Sequence, residues 1–392
     1  MTDVTILVGT TKGVFLIDGA DGRSTWQVRG PFCDGWPINH VVGDPNTGTI
    51  WAAGGGDWHG AGVWRSADGG ATWALSQLSH GKMNEWLTND PATAEYLGMT
   101  PSPPAPFTGD ITALWSLCLS GDTLYAGAKP ASLFASKDRG GTWAKVQALS
   151  DHPSRDSWEP GGAGLVLHSI VADPGDPAKL WVGISAAGVF ATEDGGKSWD
   201  RRNRMSNMGH EADHGHDHAH AAPQGEGGAH ETGLCVHNIV RAPVGASDLM
   251  YQQNHHGVFR SPDGGRSWED ATTGLPSGFG FPIAVHPADP GTVWVFPLNG
   301  DTQGRFPPDA SAAVWRSRSG GATWEKLQNG LPDKDCFFTV LRQAMAVDNA
   351  PSAGVYFGTN SGSVFASADE GDSWTEVARH LPTILSVETL TR

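Results

Sequence analysis

Histidines are the side chains whose spacing in this sequence best suits chemistry. His168 and His237 each stand five residues before the turn that follows an apolar strand, and His40 stands beside the equivalent position of an earlier strand. The residues aligned in this way are Asn39, Trp115, His168, His237, Phe281 and Gln343. Imidazoles that converge from several strands can bind a transition metal or act as acid and base. The alternative is a set of hydrogen-bonded side chains around ordered water.

We predict that the catalytic residues are His168, His237 and Arg342. The two histidines would act as metal ligands or as acid and base, and Arg342 would bind an anionic group of a substrate. The predicted metal ligands are His40, His168, His237, His255 and His256. A divalent transition metal such as zinc, iron, copper or nickel suits them, although imidazoles alone do not identify the metal.

Aromatic and polar residues on the loops are candidates for contact with a ligand. Tryptophan faces beside carboxylates suit a sugar, and glycoside hydrolysis uses two carboxylates about 5 to 9.5 Å apart. The predicted substrate-binding residues are Trp115, Trp158, Glu159, Asn254 and Gln343. The sequence does not supply the distance between carboxylates, so a glycan and another small molecule both remain candidate ligands.

A repeated turn motif indicates which elements position these residues. The first clear copy is Ser66-Ala-Asp68-Gly-Gly-Ala-Thr72-Trp73. The other clear copies end at Trp143, Trp199, Trp268, Trp324 and Trp374, and a degenerate copy ends at Trp26. The aspartate accepts backbone N–H bonds and glycine supplies positive φ, so each copy is predicted to be a hairpin turn, here called a box turn. The copy that ends at Trp324 has Ser319 in place of the acid, which a turn tolerates better than a catalyst would.

The box turns resemble the Asp-box (BNR) repeat of sialidases and their relatives, from about residue 5 to residue 390. The chain is also similar to bacterial sialidase-like and glycosyl-hydrolase-like BNR-repeat proteins, on strings such as Tyr251-Gln-Gln-Asn-His255-His-Gly257 and Arg342-Gln-Ala-Met. True sialidase activity is not expected, because the Phe-Arg-Ile-Pro motif is absent and Arg342 alone is well placed where sialidases use three arginines. Other Asp-box propellers are binding scaffolds without catalysis.

The spacing of the box turns predicts one all-β domain over residues 1–392, a seven-bladed β-propeller of four-stranded antiparallel blades. The strands of one blade are predicted at Val4–Val8, Gly13–Ile17 and Thr25–Val28, and its missing first strand at Thr383–Val387. Pairing the two chain ends in one blade closes the ring and removes exposed sheet edges. The long insertions then emerge on one face and the box turns on the other.

Composition narrows the classes of molecule that this protein is expected to bind. The 392 residues carry a formal charge of −16, with 42 acidic against 26 basic side chains, which disfavours nucleic acid and anionic membranes. We read no signal peptide and no membrane-spanning run, so a cytoplasmic location is expected. The four widely spaced cysteines match no zinc-ribbon pattern and are expected to be reduced thiols. The sequence does not indicate an oligomeric state.

A His/Asp-rich tract at residues 210–220 lies in an insertion at about 204–232, which we expect to be flexible. Its composition suits weak binding of zinc, nickel or copper, and the alternative is a solvated loop.

The sequence therefore predicts an intracellular, sialidase-like or glycosyl-hydrolase-like BNR-repeat protein. It is expected to bind and hydrolyse a small molecule or glycan in a His-rich central funnel, with a metal as one option. The alternative is a non-catalytic propeller scaffold or a metal-binding protein.

Overall fold

The computed structural model describes residues 4–205, 231–243 and 248–391, and these form seven four-stranded antiparallel sheets arranged as the blades of a β-propeller. The predicted fold class is confirmed. The His/Asp-rich tract falls outside the described residues. No helix in the described ranges is long and apolar enough to span a membrane.

The strands in the first half of the chain are β1 (Val4–Thr10), β2 (Gly13–Ala20), β3 (Thr25–Phe32), β4 (Ile38–Gly43), β5 (Ile50–Gly56), β6 (Gly60–Ser66), β7 (Ala74–His80), β8 (Ala113–Ser120), β9 (Thr123–Lys129), β10 (Leu133–Ser136), β11 (Ala144–Lys145), β12 (Val166–Ala172), β13 (Leu180–Ser185) and β14 (Gly188–Thr192). The strands that follow are β15 (Asp200–Arg201), β16 (Val236–Arg241), β17 (Met250–Asn254), β18 (Val258–Ser261), β19 (Glu269–Asp270), β20 (Gly280–Val285), β21 (Val293–Pro297), β22 (Val314–Ser317), β23 (Glu325–Leu327), β24 (Met345–Val347), β25 (Val355–Gly358), β26 (Val364–Ser367), β27 (Thr375–Ala378) and β28 (Ile384–Thr391). The helices are α1 (Lys82–Asn89), α2 (Pro91–Tyr96) and α3 (Gln147–Ser150), with 3₁₀ turns at Arg155–Ser157, Asp301–Gln303 and Pro308–Ala310.

Each blade takes four strands in chain order, and the first strand of each is the innermost. Blades 1 to 6 are β4–β7, β8–β11, β12–β15, β16–β19, β20–β23 and β24–β27. Blade 7 has the order β28-β1-β2-β3, so its innermost strand comes from the C-terminal end of the chain. The pairing runs from Val4 opposite Thr391 to Thr10 opposite Ile384. The predicted closure of the ring by both chain ends is confirmed.

The box turns connect the third and fourth strands and are held by their own side chains. In the first clear copy, Asp68 accepts hydrogen bonds from the Thr72 N–H at 2.9 Å and the Thr72 hydroxyl at 2.6 Å. The Ser66 hydroxyl donates to Asp68 at 2.8 Å and accepts the Gly70 N–H at 2.8 Å. Ser319, which replaces the acid in its copy, still accepts the backbone N–H of Thr323 at 3.0 Å. The acids of these turns therefore serve as turn caps.

We expect the stability that Asp68 contributes to be lost in acid. Hydrogen bonds from Thr72 and Ser66 lower the pKa of Asp68 to about 2, whereas an unfolded aspartate has a pKa of about 3.9. A lowered folded-state pKa stabilises the protein above the unfolded pKa, and this contribution disappears as the pH falls from about 4 through 2. The Tm of Asp68→Ala should lie below that of the wild type at pH 7, and the gap should narrow at pH 2.

Scanning calorimetry of both proteins at the two pH values checks this expectation. Asp122→Ala is the matched control, because Asp122 is exposed in the turn between β8 and β9. A Tm gap for Asp68→Ala that is the same at pH 7 and pH 2 would show that the carboxylate does not act through its ionisation.

Six innermost strands, β4, β8, β12, β16, β20 and β28, have a β-bulge or register shift near the end from which the long loops leave. In the first four of these strands the bulged residue is one of the positions aligned from sequence, namely Asn39, Trp115, His168 and His237. A polar side chain of one blade donates to the backbone carbonyl that precedes the bulge of the next blade. These bonds are Asn39 to Leu114 at 2.7 Å, Ser116 to Leu167 at 3.0 Å, Ser185 to Val236 at 2.7 Å and His237 to Gly280 at 2.6 Å. A bulge changes the direction of the side chain that it carries, and the hydrogen bonds join neighbouring blades.

Hydrogen bonds between blades that are not neighbours span the central axis at the level of the bulges. The Gln343 amide of blade 6 donates to the His168 carbonyl of blade 3. The Asn238 amide of blade 4 donates to the Arg342 carbonyl, which precedes blade 6, at 2.7 Å. On one side of these bonds lies a channel cavity of about 350 Å³, whose polar lining includes His40, Cys118, Asn238, Arg241, Gln343 and Glu388. The long loops lie on the other side.

Candidate metal centre

A cysteine and two histidines of blade 4 meet on the face that carries the long loops. Cys235 and His237 lie at the start of β16, and His255 lies in the loop between β17 and β18. Cys235 Sγ and one imidazole nitrogen of each histidine lie within 4.8 Å of one another. We call these three residues the Cys-His-His cluster. In the described part of the chain it is the one group of three or more such side chains compact enough to hold a metal ion.

The geometry of the cluster is close to that of a zinc site. Cys235 Sγ and His237 Nε2 are 3.7 Å apart. Bond lengths of 2.3 Å to sulfur and 2.0–2.1 Å to nitrogen at a tetrahedral angle place the two donors roughly 3.6 Å apart. Thiolate and imidazole are also the donor types that select zinc among the common divalent ions, with copper and iron as competitors. The widest separation in the cluster, at most 4.8 Å, needs to contract by at most about 1.5 Å to fit a tetrahedral ion.

Local sequence explains how these side chains come together. Residues two apart in a strand point to the same side, so Cys235 and His237 share a side while Val236 between them is fully buried in the blade. The backbone N–H of His255 donates to the Cys235 carbonyl at 3.0 Å, which ties the β17–β18 loop to the start of β16. The cluster is therefore built on one blade and depends little on loop length elsewhere.

His237 is oriented as a ligand. Its Nδ1 lies 2.6 Å from the Gly280 carbonyl. Because a carbonyl can only accept, Nδ1 carries the proton, and the lone pair of Nε2 faces Cys235, whose thiol donates to it at 3.7 Å. A metal-binding histidine is usually held in this way by a backbone carbonyl or a carboxylate. The His237 ring also packs against Phe281 and Phe279, with centroids 4.6 and 5.3 Å away.

Burial controls the protonation of the cluster. It lowers the pKa of His237 well below its ordinary value, and the positive charge of Arg342 lowers it further. The imidazole is therefore neutral at physiological pH, as a ligand must be. Burial raises the pKa of the Cys235 thiol, while Arg342 and a hydrogen bond with Ser185 act in the opposite direction. A metal ion would supply the charge that deprotonates this thiol.

Two arginines and an aspartate border the cluster. Arg342 lies over the Phe281 ring, with its Cζ 4.8 Å from the centroid, and Arg305 lies over the same ring at 5.8 Å. Asp301 Oδ2 is 4.0 Å from His255 Nε2, and its Oδ1 accepts a hydrogen bond from Arg305 at 2.5 Å. Burial lowers the pKa of Arg342 to about 10, so the guanidinium remains cationic at neutral pH.

The other predicted ligands do not belong to the cluster. His168 is buried, with its ring nitrogens 3.0 Å from the Ser169 hydroxyl and 3.2 Å from the Ser185 hydroxyl. His40 lines the channel cavity, where its Nδ1 accepts the Leu117 N–H and its Nε2 lies 3.2 Å from Glu388. His256 is exposed, and its ring contacts that of His255 at a centroid distance of 5.0 Å.

The structure places these histidines differently for physical reasons. Serine hydroxyls hold His168 inside blade 3, where burial lowers its pKa well below the ordinary value. The cross-axis bonds of Gln343 and Asn238 lie between the channel that contains His40 and the face that carries the cluster. Of the five predicted metal ligands, the structure brings His237 and His255 together with a cysteine that was not predicted.

The predicted substrate-binding residues mostly serve the scaffold. Trp158 is 8% exposed, packs on Phe190 at a centroid distance of 4.9 Å and donates to Ser154. The remaining residues are Gln343, bonded to the His168 carbonyl; Asn254, whose amide bonds the Gly233 carbonyl; Trp115, half-buried at its bulge; and Glu159, exposed beside Ala186. The stacking pair proposed for a glycan is therefore not assembled, because Trp158 faces the blade core.

Sequence reasoning missed Cys235. One signal was the Cys-x-His spacing at the start of an innermost strand, where the candidate residues of the other blades also lie. A second signal was the pair of histidines that follows the next strand. Zinc-ribbon spacing compares cysteines only with one another, so it does not reveal the one that lies on the same side of a strand as His237. Sequence reasoning also missed the ion pair of Asp301 and Arg305 in the β21–β22 loop. These two residues lie in an insertion that has no equivalent in the other repeats.

Comparison with known proteins identifies the architecture. No protein-family model and no curated protein matches the sequence. An ancestral GH74 enzyme is 16% identical with a TM-score of 0.54, over 86% of this chain and 38% of its own, so this chain spans well under half of that enzyme. AztD from Citrobacter koseri, in its apo form, is 10% identical with a TM-score of 0.56, over 100% of this chain and 99% of its own.

A third similar structure is YCF48 bound to D1 peptide, which is 15% identical with a TM-score of 0.50, over 87% of this chain and 83% of its own. At identities this low the similarities show a common propeller fold and no shared chemistry. The functional argument therefore depends on the Cys-His-His cluster and its surroundings.

Proposed function

We propose that the protein binds a divalent transition-metal ion through Cys235 Sγ, His237 Nε2 and an imidazole nitrogen of His255, and uses it to hydrolyse a small molecule. Zinc fits the donors best, and copper, iron and nickel are the competing ions. The observation that supports this proposal is the 3.7 Å separation of Cys235 Sγ and His237 Nε2, with the His237 Nδ1 proton fixed on the Gly280 carbonyl.

Three protein ligands favour a catalytic site over a structural one. Structural zinc sites are closed by four protein ligands, whereas catalytic sites keep one position for water or substrate. Bound zinc supplies a water whose pKa falls to about 7 and a Lewis acid for a carbonyl or phosphoryl oxygen. The chain's own residues orient the ligands, and the buried rings of Phe279 and Phe281 keep bulk water from one side of the cluster.

Metal binding without catalysis is the second candidate, and one contact favours it. Asp301 is the carboxylate placed to act as a base or a fourth ligand, but its other oxygen is bonded to Arg305. If that ion pair persists, the site would bind a metal ion and lack a base. Glycan hydrolysis has less support, since Trp158 faces the blade core.

Cobalt substitution tests the proposal directly. The protein should bind one Co²⁺ ion with a thiolate-to-cobalt absorption in the near ultraviolet, because Cys235 is a ligand and the His/Asp-rich tract contains no cysteine. Zinc should abolish this absorption by displacement. Hydrolysis of a panel of esters, phosphoesters and lactones, measured with and without a chelator, then separates a metal-dependent hydrolase from a metal-binding protein. Co²⁺ bound without the absorption would refute Cys235 as a ligand.

A further inference from the structure

We infer that the ligand of this centre is a small oxyanion, a carboxylate or a phosphate, whose charged group is bound by Arg342. The inference rests on the proposed metal site, because the oxyanion would lie between the ion and the guanidinium. It names the chemical class of substrate that the Cys-His-His cluster alone leaves open.

Arg342 is a half-buried cation without an anionic partner. Within the described residues its guanidinium makes no ion pair and no hydrogen bond, and its Nε is buried without an acceptor. Arginines that are more deeply buried are paired. Arg241 bonds Asp173 at 2.9 Å, and Arg316 bonds both Glu325 and Asp372. A buried guanidinium N–H without an acceptor is costly, so a site that maintains one is poised to receive an anion.

The position of Arg342 fixes where that anion would lie. Phe281 contacts both the Arg342 guanidinium at 4.8 Å and the His237 ring at 4.6 Å, so one aromatic ring separates the cation from a metal ligand. Arg342 also acts electrostatically on Cys235.

The charge of the site supports the same conclusion. A divalent ion with one thiolate and two neutral imidazoles carries a charge of +1, and Arg342 adds another. Arg305 and Asp301 neutralise each other in their ion pair. The site is therefore positive in a protein whose formal charge is −16, and an oxyanion would compensate it. Guanidinium groups bind carboxylate and phosphate through two parallel hydrogen bonds that opposite charges strengthen.

Calorimetric titration of the zinc-loaded protein with inorganic phosphate and with acetate tests the inference, and acetamide serves as the uncharged analogue of acetate. We expect at least one oxyanion to bind, and the stronger of the two identifies the class. Arg342→Gln should weaken that binding by about 10- to 100-fold, the effect of losing charged hydrogen bonds. Arg342→Lys should show an intermediate loss because it keeps the charge without the paired donors.

Arg65→Gln is the matched control, because Arg65 is exposed and immediately precedes a box turn on the opposite face. Its oxyanion affinity should equal that of the wild type. If Arg342→Gln does not fold, Arg342→Lys decides the question. Metal binding with an oxyanion affinity that is independent of Arg342, or with equal affinity for acetamide, overturns the inference and leaves the metal site standing. Oxyanion binding that depends on Arg342 in a protein that takes up no zinc at the cluster refutes the proposed metal function and places the oxyanion against Arg342 alone.

Discussion

Replacing Cys235 by serine is expected to remove the bound metal ion and leave the propeller folded. Loss of an outer-shell partner of a metal ligand weakens metal binding about 10- to 100-fold, so the loss of a direct thiolate ligand should weaken it by at least about 100-fold. The wild type should retain close to one zinc ion per chain after dialysis against a weak chelator, and the variant should retain close to none at this site. Elemental analysis and the cobalt spectrum measure the difference.

Cys118→Ser is the matched control for this substitution. Cys118 lines the channel cavity beside Glu388, away from the Cys-His-His cluster. Its replacement should leave the metal content and the thiolate-to-cobalt absorption unchanged. Histidines of the His/Asp-rich tract can contribute further ions, so the decisive quantity is the difference of one equivalent between the two variants. Equal metal content in Cys235→Ser and Cys118→Ser would exclude the cluster as the metal site.

The fold was predictable because its signals are local and repeated. Five of the six clear box turns share a hydroxyl, an acid and at least one glycine, and the hydrogen bonds of Asp68 show why those residue types recur. The closure of blade 7 was predictable because Val4–Val8 and Thr383–Val387 each lacked a neighbour that the other supplies. Observed strands β1 and β28 extend those predictions by two and four residues at their C-terminal ends.

The site was predictable only in part, because bulges decide where its side chains point. Alignment on the following turn grouped His168 and His237, and both lie at bulges. Their surroundings then differ. Two serine hydroxyls face the His168 ring, whereas a backbone carbonyl on one side and Cys235 on the other face His237. Such tertiary partners are not encoded in the repeat pattern, so equal positions in sequence acquire unequal chemistry.

Loop residues were the least predictable. Trp158 looked available for stacking because no repeat explained it, but a 3₁₀ turn at Arg155–Ser157 folds it back onto Phe190. Asp301 begins a similar short turn and Arg305 follows it, and there the fold presents an ion pair to the cluster. In both loops the direction of a single 3₁₀ turn decides which residues reach the cluster or the blade core. Residue type alone does not set that direction.

Deleting β28 is expected to have the largest effect on stability, namely loss of cooperative folding. Ile384, Val387 and Leu390 of this strand are buried, and burial of each side chain contributes about 1.5–3 kcal/mol. The sum of roughly 5 to 9 kcal/mol is comparable to the whole stability of a typical domain, about 5–15 kcal/mol. The strand also supplies the hydrogen bond from the Val387 N–H to the Gln343 carbonyl at 2.8 Å, which joins blades 6 and 7. Thermal unfolding followed by circular dichroism measures the loss.

A circular permutant distinguishes closure of the ring from a simple need for every strand. Val4 pairs with Thr391 across β1 and β28, so a short glycine-containing turn can join the two ends of blade 7 as a hairpin. New termini between Gly121 and Asp122, in the turn that joins β8 and β9, would interrupt no paired strand. This permutant should unfold cooperatively within a few degrees of the wild type, because it keeps every blade, whereas the truncated chain should not. If the truncated chain unfolded like the wild type, blade 7 would not depend on both ends of the chain, and the propeller would be held closed by contacts other than the β1–β28 pair.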